Sequence, residues 1–402
     1  MLKIGILKER KSPPDERVPL SPAQVLQLNT ANSDVKFVVE SSDIRRFKDA
    51  EYANLGIEIT KDVSDCDVLM GVKEVPKEAL IGGKKYFFFS HTIKMQPYNK
   101  ELLQTILKKN IQLMDYECLT DSKGRRLLGF GRYAGIVGCY NAFLAYGKRN
   151  HSFDLKPAFQ CEDRIEMEKE LSKVKIEAQG LKIALTGNGR VAHGAMEILD
   201  LMHIPKLSVK EYLAYKGSEP VYCQLKVTDY NKRIDGMKGS ISEFFSNPEL
   251  YRGDFARFSC NSDMYIACHF WGDGSPCIFT REEAKHPDFN LKVVADISCD
   301  IDGPVASTLR PSTIKDPIYG YEPQTESEVD YDNKNAITVM AVDNLPCELP
   351  KDASTDFGAE FIKNIFPSLL NGDKDEILKR ASIAKAGDLT ERYEYLRDYV
   401  ED

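Results

Sequence analysis

The chain lacks an excess of positive charge, closely paired cysteines and long hydrophobic runs. Its 54 Lys and Arg residues are outnumbered by 62 Asp and Glu residues, and the net charge of −8 argues against nucleic-acid or acidic-membrane partners. The ten cysteines form no Cys-x-x-Cys pair, so neither a zinc module nor a disulfide scaffold is indicated, and we expect no metal. No apolar run approaches the roughly 20 residues of a membrane span. The strand-like residues 3–7 leave no room for a signal peptide, so we expect a cytoplasmic location.

The length and the hydrophobic pattern predict two α/β domains. With 402 residues, 42% hydrophobic and 29% charged, the chain can bury two cores. Short apolar runs alternate with helix-like stretches, and these runs are residues 4–7, 35–39, 68–72, 86–89 and 111–114. Such alternation is typical of a parallel sheet with helices on both faces. The pair Ser21 and Gln24 with Pro22 marks a helix start.

Residues 182–195 carry the pattern of a dinucleotide-binding turn. An apolar run leads into Gly187-x-Gly189-x-x-Ala192, and a helical pattern follows. Gly187 permits the tight turn, Gly189 lets the backbone approach a pyrophosphate, and the helix N-terminus attracts the phosphates. The alternative is a strand–helix turn in which the glycines serve packing alone. The strand before the motif and the amphipathic helix after it favour nucleotide binding.

We therefore predict an α/β fold with two doubly wound, Rossmann-like domains and a cleft between them. Residues 1–140 would form the first part of a substrate and catalytic domain, 141–310 the dinucleotide-binding domain, and 311–402 the return to the first domain. A helix from residue 131 to about 146 is expected to connect the first domain to the second. Further predicted elements are a charged helix at 162–178, strands at 206–209 and 293–297, and a helix at 355–370, with the apolar stretches 264–270 and 337–342 between them.

The carboxyl ends of the predicted strands are where ligands bind in open parallel sheets. Lys73 follows the run 68–72 and His91 follows the run 86–89, and these two strands are expected to be neighbours. If the two side chains are desolvated together, both pKa values fall toward the range useful for proton transfer. The alternative is that Lys73 pairs with Glu74 at the surface and that His91 caps the next helix.

Arginines and acids near the same strand ends also have two interpretations. The planar guanidinium groups of Arg17, Arg125 and Arg126 suit carboxylate recognition. Alternatively, Arg17 forms a local salt bridge with its acidic neighbours, and the other two are charges of a hairpin. Asp296 and Asp300 lie at the end of the run 293–297, where Asp300 is either a ligand-binding or a turn residue.

Over nearly its whole length, the chain resembles the superfamily of alanine dehydrogenase, transhydrogenase and saccharopine dehydrogenases. The motifs of this resemblance are Lys8-Glu9, Glu16-Arg17-Val-Pro-Leu-Ser-Pro22, Val72-Lys73-Glu74, Ser90-His91, Asp296-Ile-Ser-Cys-Asp300 and Val342-Asp343-Asn344-Leu345-Pro346. Within the superfamily, it is most similar to the lysine–2-oxoglutarate reductase type. That similarity lies in Phe89-Ser-His-Thr-Ile-Lys94 with Gln96, Asp115-Tyr-Glu117, Phe130-Gly131 with Tyr133-Ala-Gly135, and Tyr393-Glu-Tyr-Leu396.

The resemblance implies that the ε-amine of L-lysine condenses with 2-oxoglutarate and that hydride reduction of the imine gives saccharopine. His91 would shuttle protons, and Lys73 would act on the ketone oxygen and later on the imine nitrogen. Substrate carboxylates would be held by Arg17 and Arg126, with a neutral hydrogen bond from Gln96. The predicted dinucleotide-binding residues are Arg125, Phe130, Gly187, Gly189, Arg190, Val191, Lys210, Asp296, Ser298, Asp300 and Asp343.

The choice of dinucleotide depends on the end of the second strand of the nucleotide domain. An acidic residue there commonly binds the ribose of NAD. The predicted strand 206–209 ends at Lys210, which favours NADP(H), whereas rotation of Glu211 would permit NAD(H). Three alternatives remain open: an NAD-dependent saccharopine dehydrogenase working oxidatively, an alanine dehydrogenase, and a non-catalytic dinucleotide sensor. The direction of flux and the oligomeric state do not follow from the sequence.

Overall fold

The structure of the chain is a computed structural model that describes residues 1–176, 180–272 and 274–401. The chain divides into two compact units. Unit 1 comprises Met1–Phe130 and Pro350–Asp402, and unit 2 comprises Gly131–Leu349. Within the described ranges, no helix is long and apolar enough to cross a membrane.

Strands and helices alternate along most of the chain. In chain order the strands are β1 (Leu2–Ile6), β2 (Val35–Glu40), β3 (Ile59–Thr60), β4 (Val68–Met70), β5 (Lys85–Phe88), β6 (Gln112–Asp115), β7 (Lys182–Thr186), β8 (Val221–Leu225), β9 (Asn231–Arg233), β10 (Tyr251–Gly253), β11 (Met264–Ala267), β12 (Val293–Asp296), β13 (Ile318–Glu322), β14 (Ser327–Val329), β15 (Ile337–Met340), β16 (Ser382–Lys385) and β17 (Asp388–Leu389). The α-helices are α1 (Pro22–Ala31), α2 (Asp49–Ala53), α3 (Pro97–Lys108), α4 (Gly131–Asn150), α5 (Arg164–Glu170), α6 (Arg190–Leu201), α7 (Val209–Ala214), α8 (Ile241–Ser246), α9 (Ala256–Ser259), α10 (Arg281–Ala284), α11 (Pro350–Asn364), α12 (Phe366–Leu370), α13 (Ile377–Ala381) and α14 (Arg397–Glu401).

Unit 1 is built on a sheet in the order β3-β2-β1-β4-β5-β6-β16-β17. Its first six strands are parallel, and β16 and β17 join antiparallel to them. All three residues of β4 are buried, as expected for a strand covered on both faces. The strand order reverses between β1 and β4, so the carboxyl ends of these strands form the crevice in which ligands bind in this architecture.

Unit 2 contains a sheet in the order β14-β13-β15-β12-β11-β7-β8. The strands from β15 to β8 are parallel, and β13 and β14 extend the other edge antiparallel. Here the order reverses between β7 and β11, next to the glycine turn that follows β7. The fold class predicted from the sequence is confirmed, because each unit is an α/β unit with a doubly wound parallel sheet.

Two glycines let α4 and α6 of unit 2 pack closely. A Cβ atom at Gly135 would lie 1.9 Å from the carbonyl oxygen of Val191, and one at Gly194 would lie 2.0 Å from that of Arg132. No side chain fits at either position without moving a helix. The glycine that ends the Tyr133-Ala-Gly135 motif therefore fixes α6, whose N-terminus follows the glycine turn.

The unit boundaries differ from the predicted ones in two places. Unit 2 begins at residue 131, because all of α4 belongs to it, and it extends to residue 349 rather than 310. The reason for the second difference is the pairing of β15 with β12 and of β13 with β15. Such long-range strand pairing has no local signature in the sequence.

The strand predicted at 206–209 is wrong, whereas the charged helix at 162–178 is partly present. Ser208 and Glu211 form a capping box that starts α7, and Lys206 forms only an isolated bridge with Tyr222. The charged stretch folds as α5 and a following 3₁₀ turn. Residues 177 and 178 lie outside the described residues.

Candidate functional site

Two adjacent phenyl rings, Phe89 and Phe130, organise the candidate site of unit 1. Their ring centroids are 6.0 Å apart. The guanidinium of Arg17 lies 4.2 Å from the ring centroid of Phe130, and that of Arg126 lies 5.8 Å from the ring centroid of Phe89. The ring of His91 stacks on Phe89 with a centroid distance of 6.4 Å. The fold therefore gathers residues from three separate segments of the sequence around one aromatic pair.

The imidazole of His91 is oriented by Glu74. Its Nδ1 lies 2.7 Å from Oε1 of Glu74, and Lys11 Nζ donates to the other carboxylate oxygen at 2.9 Å. Burial favours the protonated carboxyl, but the hydrogen bonds from His91 and Lys11 prevail and lower the pKa of Glu74 to about 2. A carboxylate that stays ionised holds the proton on Nδ1, which leaves Nε2 as the ring atom that can accept a proton. His91 is the N-cap residue of the 3₁₀ turn Thr92–Lys94, but its side chain makes no capping hydrogen bond.

The loop that carries Lys73 is fixed by a buried carboxylate from another strand end. Glu9, beyond β1, accepts hydrogen bonds from the backbone N–H groups of Val72 at 2.7 Å and Lys73 at 2.9 Å. Burial raises the pKa of Glu9 to about 7. The charge of Lys73 helps to lower the pKa of Asp15, so its side chain lies close to that second carboxylate. Lys73 thus lies near two carboxyl groups, that of Glu9 at its backbone and that of Asp15 near its side chain.

Arg17 forms a salt bridge with a neighbouring acid, which was the alternative to carboxylate recognition. Its Nε and Nη2 atoms donate to the two carboxylate oxygens of Asp15 at 3.0 and 2.7 Å. Both residues are buried. Burial favours the protonated carboxyl, yet Arg17 outweighs this and lowers the pKa of Asp15 to about 2. The bidentate face of Arg17 is therefore occupied by Asp15, a residue to which the sequence analysis gave no site role.

Arg125 and Arg126 are adjacent in sequence but have different surroundings. The side chain of Arg125 is 76% exposed and donates to Asp121 at 2.7 Å, which fits the interpretation as a hairpin charge. Arg126 lies over Phe89 and 3.2 Å from a carboxylate oxygen of Glu117. Gln96, at the start of α3, accepts a hydrogen bond from Tyr98 through its side chain. Only Arg126 of these three belongs to the aromatic cluster.

Replacement of Arg126 by Lys is expected to raise the KM for one carboxylate substrate roughly ten- to a hundredfold. The reason is that an ammonium group cannot reproduce a two-pronged contact, and losing a charged hydrogen bond costs about 1.5–3 kcal/mol. Steady-state kinetics for each substrate and a melting curve measure this. Arg125→Lys is the matched control, with unchanged KM values. Equal KM values in R126K and wild type would show that Arg126 is a hairpin charge as well.

In unit 2, the glycine turn after β7 opens into a cavity of about 480 Å³. Gly187 has a φ of +104°, and a Cβ there would lie 2.4 Å from the carbonyl oxygen of Cys268. Gly189 precedes α6, and nothing lies within 4 Å of where its Cβ would be, so the backbone is open to a ligand. Arg190 and Val191, the first residues of α6, also line the cavity. This arrangement fits the pyrophosphate of a dinucleotide.

The prediction that Lys210 ends the second strand of this unit is wrong. The strand beside β7 is β8, which ends at Leu225, and the next residue, Lys226, lines the cavity. Lys210 lies instead on α7 and is exposed. The position where a dinucleotide ribose is expected therefore also carries a lysine, Lys226. It lies 16 residues further along the chain than the predicted Lys210, because α7 is inserted before β8.

His269 is a site residue that the sequence analysis missed. It lines the cavity two residues beyond β11, with Nδ1 3.0 Å from the hydroxyl of Thr186 and 3.3 Å from that of Tyr265. Burial lowers its pKa to about 4, so the ring is neutral at neutral pH. Nε2 is buried and has no partner among the described residues. No sequence pattern marks this histidine, since only the fold places it beside Gly187.

Asp296, the last residue of β12, and Asp300 organise the loop that follows this strand. The carboxylate of Asp296 is buried and accepts hydrogen bonds from the hydroxyls of Ser298 at 2.6 Å and Thr308 at 2.7 Å. The backbone carbonyl of Asp300 accepts a hydrogen bond from the N–H of Gly303. Asp300 is therefore a turn residue, which was the alternative to ligand binding. Asp343 is exposed. Burial and the charges of these three acids raise the pKa of Cys299 to about 12, so the three lie close to that thiol.

Comparison with known proteins agrees with the resemblance seen in the sequence. Residues 5–137 match the family model "Alanine dehydrogenase/PNT, N-terminal domain". Alpha-aminoadipic semialdehyde synthase of Arabidopsis thaliana is 30% identical over 98% of this chain, which spans 41% of that protein. The chain thus spans less than half the length of the synthases that it matches. "Saccharopine dehydrogenase [NAD(+), L-lysine-forming]" of Candida albicans is 27% identical over 93% of this chain and 94% of its own length.

A solved structure of L-alanine dehydrogenase has the same fold. It superposes with a TM-score of 0.64 over 99% of this chain and all of its own, at 16% sequence identity. The transhydrogenase from Sinorhizobium meliloti superposes with a TM-score of 0.58 at 15% identity. At these low identities, the two structures show a shared fold. Residues 5–137 of the chain are thus similar to the N-terminal domain of the alanine dehydrogenase/PNT family, and the chain is similar to saccharopine dehydrogenases over most of its length.

Proposed function

We propose that the chain is a lysine–2-oxoglutarate reductase, that is, a saccharopine dehydrogenase of the L-lysine-forming type, working reductively with NADP(H). The observation that carries this proposal is the gathering of His91, Arg17 and Arg126 around Phe89 and Phe130. The similarity to saccharopine dehydrogenases over more than nine-tenths of both chains supports the substrate assignment. Its ligands are then L-lysine, 2-oxoglutarate and saccharopine, with no nucleic-acid or membrane partner.

The residues of unit 1 fit the proton transfers that this reaction requires. Attack of the ε-amine on the ketone needs a group that takes up a proton, and Nε2 of His91 can do so while Glu74 stabilises the imidazolium. Loss of water from the carbinolamine then needs a proton on the leaving hydroxyl, which His91 returns. The ammonium of Lys73 polarises the ketone oxygen. A bound nicotinamide supplies the hydride that reduces the imine.

The carboxylates of the substrates need cations, and the structure favours Arg126 over Arg17. Asp15 accepts hydrogen bonds from two nitrogen atoms of Arg17. We therefore propose that Arg17 orients Asp15 and packs against the ring of Phe130. The more exposed Arg126 is the carboxylate clamp. Gln96 is proposed as the neutral hydrogen-bonding group, whereas the exposed Arg125, which pairs with Asp121, is not assigned to the site.

Product analysis tests this function against its alternatives. The secondary amine of saccharopine has two C–N bonds, and cleavage with oxidation on the glutarate side gives L-lysine and 2-oxoglutarate. We expect these two products when saccharopine and NADP⁺ are supplied, identified by amino-acid analysis. Glutamate in place of lysine would exclude the L-lysine-forming activity. Reduction of pyruvate with ammonia would indicate an alanine dehydrogenase, and no turnover with any pair would favour the sensor.

The preference for NADP(H) rests on Lys226 in place of Lys210. The variant Lys226→Asp is expected to shift the ratio of kcat/KM from NADPH toward NADH by about tenfold or more, because a carboxylate repels the 2′-phosphate and binds the ribose hydroxyl. The same substitution at exposed Lys210 is the control and should leave the ratio unchanged. A wild-type preference for NADH, or an unaltered ratio in K226D, would contradict this assignment.

A further inference from the structure

The mouth of the cavity in unit 2 is unusually apolar for an exposed surface. Three side chains that line it, Ile241, Phe245 and Phe270, are 44%, 52% and 73% exposed. The ring centroids of Phe245 and Phe270 are 6.3 Å apart. Clustered exposed apolar side chains at the rim of a cavity are typical of a ligand-binding surface.

The segment that contains Ile241 and Phe245 is stabilised by a salt bridge, a hydrogen bond and ring packing among its own residues. It connects β8 with β11 and contains the β9–β10 hairpin and α8. Arg233 of β9 forms a salt bridge with Glu243 of α8, and the hydroxyl of Tyr251 of β10 also contacts that carboxylate. On the inner side, the buried ring of Phe244 packs edge-on against Tyr251, with a centroid distance of 5.2 Å. The rings at the rim are therefore presented by a pre-organised scaffold.

The position of this rim relative to the glycine turn identifies the part of the ligand that reaches it. The cavity is lined by Gly187 and Gly189, by Lys226 and Val227, which directly follow β8, and by the three side chains of the rim. In doubly wound nucleotide domains the pyrophosphate lies on the glycine turn and the adenosine ribose lies at the end of the second strand. The group attached beyond that ribose is the adenine base.

We propose that Phe245 and Phe270, with Ile241, form an aromatic clamp for the adenine base of the dinucleotide. The proposal rests on the dinucleotide binding of the proposed function and adds the residues that hold the base. A purine presents flat apolar faces and needs no charged partner, which matches a rim made of two phenyl rings and one aliphatic side chain. Stacking of a base on an aromatic side chain accounts for a substantial part of nucleotide affinity elsewhere.

Calorimetric titration with adenosine 5′-monophosphate, with nicotinamide mononucleotide and with NADPH tests the clamp. In Phe245→Ala and in Phe270→Ala, affinity for the adenosine fragment and for NADPH should fall about 5- to 100-fold, as expected for the loss of one stacked ring. Affinity for the nicotinamide fragment should not change. Phe245→Tyr and Phe270→Tyr, which keep the ring, should bind like wild type.

Met237→Ala is the matched control, because Met237 is 63% exposed on the same segment but does not line the cavity. If F245A and F270A bind the adenosine fragment as wild type does while NADPH still binds, the clamp is overturned and the proposed function stands. A change in oligomeric state on sedimentation without a change in adenosine affinity would equally overturn it and would make the rim a contact between copies. If wild type binds no dinucleotide, both proposals fail.

Discussion

The variant His91→Ala is expected to lower kcat by roughly 10²–10⁴-fold, the usual effect of removing a positioned proton-transfer group. The structure gives the physical reason. Glu74, with its pKa lowered to about 2, remains ionised through the working pH range and keeps the proton on Nδ1 of His91. Without the imidazole, no group at that position accepts the amine proton or protonates the leaving hydroxyl. Steady-state kinetics across a range of pH values measures the effect.

The control for this experiment is His286→Ala, which removes a largely exposed histidine from unit 2. We expect normal turnover in that variant, and unchanged dinucleotide affinity in both, because the glycine turn belongs to a different unit from His91. The pH profile of kcat should lose one limb in H91A. Near-normal turnover in H91A, with the wild-type pH profile, would remove His91 from the catalytic machinery.

The variant Lys73→Met should also lose roughly 10²–10⁴-fold in turnover, because methionine keeps the length of the side chain but cannot polarise the ketone or donate a proton. The backbone of the loop should stay in place, since Glu9 holds it through the N–H groups of residues 72 and 73. A melting temperature close to that of wild type would therefore accompany the kinetic loss.

Lys77→Met serves as the matched control, because Lys77 lies four residues away and pairs with Glu101 at the surface. Its kinetics should equal those of wild type. If K73M and K77M behave alike, the assignment of Lys73 as a catalytic residue is wrong. If K73M loses its folded state instead, Lys73→Arg, which keeps the charge, separates a structural role from a chemical one.

Local signals in the sequence predicted most of the elements and the glycine turn after β7. The capping pair Ser21 and Gln24 starts α1 as expected, because both partners lie within one helical turn. The glycines at 187 and 189 follow a strand and precede a helix, as the motif requires. These features depend on neighbouring residues only. They are therefore visible in a single sequence.

The errors have a common physical origin in interactions between distant segments or in competing local ones. The strand at 206–209 fails because the capping box of Ser208 and Glu211 favours a helix, and the true second strand follows after α7. The assignment of residues 311–349 to the first domain fails because β15 is recruited by β12. Arg17 differs from these cases, because its buried ion pair with Asp15 is one of the two interpretations that the sequence left open.

The aromatic clamp residues could not be found in advance for a different reason. Phe245 and Phe270 are 25 positions apart and are separated by β10, α9 and β11. Isolated phenylalanines in a sequence are more often core residues than surface residues. Only the cavity that links them to the glycine turn gives them a functional meaning.

The most direct test of the central claim is a single assay of the purified protein with L-lysine, 2-oxoglutarate and NADPH, followed by the absorbance of the reduced dinucleotide. We expect the absorbance to fall only when both substrates are present, saccharopine to accumulate in equal amount, and NADH to be used less well. Parallel reactions with pyruvate and ammonia should show no oxidation. Oxidation of NADPH with pyruvate and ammonia, or none with lysine and 2-oxoglutarate, would contradict the account.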